Sequence, residues 1–262
     1  MTLNFTFSLI DFEYFLLVLV RIASFVAAAP FFSMRNVPRR VRVGLSLFVA
    51  MLVYYTFRPV EAYTYVSVIG YATLVLKEAI TGLLLGFSAN ICTYIIMFAG
   101  NIIDMDIGLS MASQFDPSTG SLATLTGQLY YYYVYIMLIV TGMYQYILRA
   151  IVDSFQLIQL GGANVDTTNL IKMMTVYMTH FFTISFRIML PVFACTMIIN
   201  VVLGVIAKVA PQMNMFSVGI QIKLLAGFSV LFIVVYLLPD VSNYIFKEMR
   251  NMLVSMMRVL QK

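Results

Sequence analysis

Charge is scarce in this sequence. Of its 262 residues only 10% are charged, while 62% are hydrophobic, and the mean hydropathy is +0.95. Soluble domains carry about 25% charged residues. A water-soluble core of this size has no place for so large an apolar excess, so the composition predicts an integral membrane protein. Cysteine is scarce too. Cys92 and Cys195 lie far apart, each inside an apolar run, with no CxxC and no metal-ligand spacing, and they read as small buried hydrophobes. There is one histidine, His180. A bound metal needs further ligands at a spacing such as HExxH, which the chain lacks, so His180 reads as a hydrogen-bonded packing residue. GxSxG, the P-loop and GxGxxG are absent as well. No enzymatic activity, cofactor or metal is therefore expected.

Long runs of like charge are also missing. The net charge is +5, yet its densest part is the cluster Arg35, Arg39, Arg40 and Arg42 beside the first apolar segment. A cytoplasmic flank of a membrane helix explains that cluster better than nucleic-acid contact does. No polar linker, repeat or low-complexity tract divides the chain, which predicts one domain over residues 1–262. Ala27-Ala28-Ala29 faintly suggest a cleavage site. The first twenty residues hold Asp11 and Glu13 and no base, however, so no leader is expected to be removed.

What is present is a series of apolar segments. The first runs from about Phe12 to Phe32, interrupted by Arg21. The second runs from Val41 to Phe57 and is closed by Arg58-Pro59. A third, Tyr65 to Leu109, is roughly twice as long as a bilayer crossing needs. After a break at Ser113–Ser121, one helix is expected from Leu122 to Ile158, then a Gly161-Gly162-Ala163-Asn164 loop. Thr168–Val209 is again overlong, with a kink expected at Pro191. The last run, Phe216–Leu238, stops at Pro239-Asp240. Val241–Lys262 forms a basic amphipathic tail, with Met249, Met252, Met256 and Met257, suited to a membrane surface or a partner.

A simple crossing scheme fails. With the arginine cluster inside and every long segment crossing once, the Asp-rich break falls inside and the basic tail outside, both against the positive-inside rule. Lys77, Glu78, Asp104, Asp106, Arg149, Asp153, Arg187 and Lys223 lie in or beside apolar helices. Each would cost at least about 2.5 kcal/mol at a bilayer centre. Arg149 and Asp153 are spaced to pair on one helix face; the others need protein or water. Three polar or small-residue stripes recur at every fourth position: Glu78, Gly82, Gly86, Asn90; Thr175, Thr179, Thr183, Arg187; and Thr196, Asn200, Gly204, Lys208. Such faces serve packing within the chain or contact with other subunits. Their number in one short chain favours an assembly. Lys77, Glu78, Asn90, Asp104, Arg187 and Asn200 are the candidate residues for these polar contacts.

The polar break at the chain's centre, GNIIDMDIGLSMASQFDP (Gly100–Pro117), is a candidate pore element. Irregular backbone at membrane depth is tolerated only inside protein or beside a watery cavity. Asp104 and Asp106 would point to nearly opposite helix faces, which argues against a carboxylate pair sharing a proton. Met111 and Phe115 could exclude water and ions from a wide pore by dewetting, and methionine makes a deformable seal. Gly108 and Gly120 would give backbone freedom at the two ends. The competing reading is a plain interhelical loop.

At these residues the sequence resembles the FliR/SctT family of type III export-gate proteins, and most of all its flagellar branch. The resemblance covers nearly the whole chain. It rests on RNVPRRVRVGLS (Arg35–Ser46), LLLGF (Leu83–Phe87), the Gly100–Pro117 stretch, the Gly161-Gly162 loop and NVVLGVIAKVAPQMNMFSVG (Asn200–Gly219). It implies an all-α membrane protein of long kinked helices and helical hairpins, assembling with FliP and FliQ into an export-gate pore and contacting FlhB. Much of that complex would stand above the bilayer plane, where partners rather than lipid bury apolar helices. It also implies passage of unfolded flagellar substrates across the bacterial cytoplasmic membrane at the flagellar basal body. The loop matching Asp106–Ser118 would plug the pore, which assigns that role to Asp106, Gly108, Leu109, Met111, Ala112, Gln114, Phe115, Asp116 and Pro117. Met111 and Gln114 stand where many relatives carry Phe. Met111 keeps the plug apolar, Gln114 departs from the pattern, and Phe115 adjoins it. Two other functions remain open: a virulence-type secretion gate subunit, and a small-solute transporter coupled through Glu78 and Asp104.

Overall fold

The computed structural model describes residues 9–34, 36–57, 68–110, 124–164, 166–212 and 214–261. Among them there is no strand. The helices are α1 (Leu9–Ala28), α2 (Arg39–Thr56), α3 (Val68–Ile107), α4 (Leu125–Val140), α5 (Met143–Leu157), α6 (Thr167–Val209), α7 (Met215–Val234) and, after a 3-10 turn at Val235–Leu237, α8 (Leu238–Gln261). Among the described residues, three helical stretches are long and apolar enough to cross a membrane: α3, α6, and Ser217–Gln261 across α7 and α8. There are four if α4 and α5 count as one broken span.

Where the chain covers a helix, as along α1, buried residues recur every three to four positions: Tyr14, Leu17, Val18, Arg21, Ile22, Phe25 and Val26. One run divides where a single helix over Leu122–Ile158 is expected. Gly142 adopts φ +69°, and α5 leaves α4 at a bend of 73°. A left-handed glycine costs little, whereas the same φ in a β-branched or bulky residue is strained. Pro191 lies inside α6, which continues past it. Pro239 sits in the first turn of α8, where a missing N–H is no loss.

The described residues form two compact units. The first takes residues up to 90, 142–175 and those from 249 onward. The second takes 91–141 and 176–248.

In the first unit α1 is the central element. Leu17, Val18, Ile22, Phe25 and Val26 are buried along one side. Its other contact is the first polar stripe: Gly82 and Gly86 of α3 lie against the backbone of Arg21 and Phe25, so closely that a Cβ on either would overlap it. Asn90 completes the stripe by donating to the Ala28 carbonyl at 2.8 Å. That stripe is used within the chain, not between subunits. The tail is likewise internal. Met249, Met252, Leu253, Met256, Met257 and Leu260 of α8 are all buried, and the Asn164 N–H donates to Leu260 O at 3.1 Å. Its apolar face is thus unavailable to a membrane surface, because the chain folds back to cover it. Arg250 of α8 lies over the Tyr146 ring at 4.7 Å. Arg149 and Asp153 do not pair; both are exposed, beside a groove of about 410 Å³ between α2 and α5.

In the second unit α3 crosses α4 and α6. Ser185 of α6 is buried and donates to Ile95 O at 3.0 Å, and Phe98 packs against Phe181 and Phe182 with ring centroids 5.2 and 5.7 Å away. Much of α6 and α7 still presents apolar side chains outward, among them Phe182, Phe186, Ile198, Val201, Val205, Leu225 and Phe232. Lipid or sister subunits must cover a face of this kind.

Candidate functional site

The sequence singles out the central polar break, and the structure defines what holds its two ends. Gly100 on α3 and Gly127 on α4 meet backbone to backbone, and a Cβ on Gly100 would overlap the Gly127 main chain. One residue on, Asn101 Oδ1 accepts a hydrogen bond from the Thr124 hydroxyl. One turn on, Asp104 is 1% exposed and its Oδ2 accepts from the Thr126 N–H at 3.0 Å. Thr124 stands at the N-cap of α4 without a side-chain cap bond of its own. The first N–H groups of a helix lack internal partners and its dipole favours an anion there. Asp104 therefore caps α4 from the neighbouring helix.

Asp106 serves a different element. Its Oδ2 accepts from the Thr196 hydroxyl of α6, which is fully buried. The two aspartates thus have separate partners. On the remaining side Gly227 of α7 receives the Ile107 side chain; a Cβ there would lie 2.6–2.7 Å from it. The last turns of α3 are held by α4, α6 and α7 together. Directly afterwards Gly108 takes φ +94° with nothing within 4 Å of a built Cβ, and α3 ends. Leu109 follows, half-buried. Met111, Ala112, Gln114, Phe115, Asp116, Pro117 and Gly120 lie outside the described residues.

A second polar cluster occupies the first unit. The Arg21 Nε donates to Glu78 Oε2, and Nη2 donates to Oε1 at 3.0 Å, with both side chains at 0% exposure. Arg21 Nη1 donates to the carbonyls of Ile158 and Ser154 at 3.0 and 3.4 Å, and Nη2 to Gln159 O at 3.5 Å. These are carbonyls at the C-terminal end of α5, where a cation is favoured. Phe155 lies 4.4 Å from the guanidinium carbon. Glu78 Oε1 also accepts from the Gly161 N–H at 2.7 Å, and Gly161 holds φ +74°.

Of the other candidates, Lys77 and Arg187 are exposed and Asn200 is half-buried. Thr175, Thr179 and Thr183 are exposed along α6; a Cβ at Gly204 would meet nothing within 4 Å. His180 Nδ1 lies 3.6 Å from Glu248 Oε2. No group of three His, Cys, Asp or Glu suited to a metal ion occurs among the described residues. The sequence shows Arg21 only as an interruption, places Gly100 and Asn101 at the start of the polar break without a partner, and does not single out Thr126 and Gly127. The signals in the sequence are a lone cation in an apolar helix, which needs a carboxylate or carbonyl partner, and a Gly-Asn-x-x-Asp face immediately before a break.

Residues 12–249 match the family described as bacterial export proteins, family 1. The chain is 32% identical over 256 residues to the flagellar biosynthetic protein FliR of Bacillus subtilis strain 168, covering 94% of this chain and 97% of that protein. It is 25% identical over 237 residues to FliR of Escherichia coli K12, covering 90% and 89%. Surface presentation of antigens protein SpaR of Shigella sonnei is also similar, at 29% over 161 residues and 61% of each chain.

Proposed function

We propose the following role for this chain, which belongs to the bacterial export proteins, family 1: it is a subunit of the flagellar type III protein export gate, and the segment between α3 and α4 is the gate's plug. It is an integral membrane protein of the flagellar export apparatus and works in complex with other export components. We place it, with FliP and FliQ and in contact with FlhB, in the bacterial cytoplasmic membrane at the flagellar basal body. Unfolded flagellar proteins are the cargo. The chain performs no covalent chemistry.

One observation carries the plug reading. Gly100 against Gly127, Asn101 against Thr124 and Asp104 against Thr126 fix the two ends of the intervening segment at one place. The described ends of that segment are thus held together by α3 and α4, with Gly108 at the point where α3 stops. Met111 and Phe115 supply the apolar, deformable groups that exclude ions from a closed pore. The flagellar role is favoured over the virulence role because the likeness to FliR runs through nearly the full chain, whereas that to SpaR does not. A transporter coupled through Glu78 and Asp104 fits poorly: both Glu78 carboxylate oxygens are engaged by Arg21 and Gly161, and Asp104 Oδ2 is engaged by the Thr126 N–H.

The decisive experiment stalls an export substrate in an assembled, active gate with a cysteine at Met111. A crosslink from that cysteine to the stalled substrate is expected. An export-competent complex in which it never forms refutes the plug role.

A further inference from the structure

The arginine cluster has a second feature. Arg39, Arg40 and Arg42 occupy the first turn of α2, which contains no acid, and Pro38 at its N-cap supplies no side-chain hydrogen bond. Cations at a helix N-terminus oppose its dipole, where an anion is favoured. Arg42 spends one N–H on Met34 O at 2.5 Å, yet its buried Nε finds no partner. Beside this turn a groove of about 420 Å³ runs between α1 and α2. Leu19, Ala23 and Ala27 form its α1 wall, Leu47 its apolar α2 side, and Arg39 and Arg42 its charged end; no acidic residue lines it.

We propose that this groove binds an anionic phospholipid, its phosphate between Arg39 and Arg42 and an acyl chain along Leu19, Ala23, Ala27 and Leu47. Charge complementarity selects the occupant. Two guanidinium groups and the uncapped amide end of α2 call for an anion, and the remaining wall calls for hydrocarbon. An anionic lipid joins the two in one molecule. Basic pockets between membrane-protein helices are known to take such headgroups, and other helices of this chain, α3 and α6 among them, are long and apolar enough to cross a membrane. Ala23 and Ala27, small and exposed, leave the depth that a chain of methylenes requires. The inference does not depend on the plug reading.

The test uses the full chain within its membrane-extracted complex, reconstituted with photoactivatable phosphatidylglycerol. Labels are mapped by peptide mass spectrometry. They are expected on the peptides carrying Leu19–Ala27 and Arg39–Leu47, and unlabelled phosphatidylglycerol should compete where phosphatidylcholine does not. Arg39→Gln should cut labelling by about fivefold, the contribution of one arginine near an anionic headgroup. Ala23→Phe should block the groove and cut labelling with the charges intact; unchanged thermal unfolding of both variants shows that the fold persists. Labelling that falls elsewhere, survives Ala23→Phe, or is displaced as well by inorganic phosphate overturns the proposal. So does a crosslink showing that a protein chain fills the groove in the complex.

Discussion

Arg21 and Glu78 face one another with no solvent exposure, 57 residues apart in sequence. Removing two such charges from water costs several kcal/mol each, and their attraction offsets this only when the remaining hydrogen bonds are also made. Here they are: the guanidinium reaches three carbonyls at the end of α5, and the carboxylate takes the Gly161 N–H. The pair therefore joins α1, α3, the end of α5 and the loop after it. Its geometry, rather than its charge alone, fixes how these elements meet.

Breaking this pair should be costly and only partly reversible. Arg21→Met or Glu78→Leu each leaves a buried charge alone, a loss of about 3–5 kcal/mol. The double variant removes both charges but strands the Ile158 carbonyl and the Gly161 N–H, each costing about 1–3 kcal/mol, while Ser154 O and Gln159 O keep the N–H groups of Ile158 and Gly162. Thermal unfolding of the detergent-extracted protein should rank wild type above the double variant, and the double variant above either single one. Singles as stable as wild type would show that the pair contributes nothing.

Gly100 of α3 and Gly108 just beyond its end should behave differently. Gly100→Ala forces a Cβ into the Gly127 main chain and must push α4 away; rigid backbone cannot yield as a side-chain tip can. Export, read as motility on soft agar, should fall severely. Gly108→Ala meets no atom, and its cost is the left-handed φ alone, about 1 kcal/mol. Its motility defect should be mild. Equal effects at the two positions would contradict the close approach.

Much of this was legible beforehand. The apolar runs gave the third segment as Tyr65–Leu109, against Val68–Ile107 observed, and the sixth helix began within one residue of Thr168. Periodicity reports that a face is buried but not what buries it. Glu78, Gly82, Gly86 and Asn90 stood out by spacing, yet for all but Glu78, which meets the Arg21 side chain, α1 contributes backbone atoms, which leave no mark in a sequence. The bend at Gly142 was hidden because one glycine in an apolar run usually passes as helix. Asp104 read as a charge in need of protein or water; its partner is an N–H of Thr126, equally invisible.

Asp104 should matter as an acceptor rather than as a titrating group. Asp104→Asn keeps an oxygen for the Thr126 N–H, whereas Asp104→Ala leaves the first turn of α4 uncapped. Loss of a cap costs about 0.5–2 kcal/mol. Hydrogen exchange at the first turn of α4 should rise more in Asp104→Ala than in Asp104→Asn. Identical exchange in both would remove the capping role.

The third stripe distinguishes fold from assembly. A Cβ at Gly204 meets nothing within 4 Å among the described residues. Gly204→Leu should leave the isolated chain as stable as before or better, since glycine inside a helix costs about 1 kcal/mol relative to alanine. If Asn200, Gly204 and Lys208 face sister subunits, the same variant should reduce their recovery on copurification severalfold. Undiminished recovery would assign that face to lipid.

The plug itself is tested by removing it while keeping its anchors. Deleting Met111–Phe115 leaves Gly100, Asn101 and Asp104 in place to hold α3 against α4, so the gate should still assemble. A pore without its apolar constriction loses the dewetted stretch that excludes ions. Cells carrying the deletion should then leak small ions and slow their growth when the gate is overproduced, with assembled complex recovered at wild-type yield. Asn101→Ala, which weakens an anchor and keeps the plug, should leak far less. Should the deletion assemble fully and leave conductance and motility unchanged, the segment is only a connection between two helices, and the seal must be sought on another subunit.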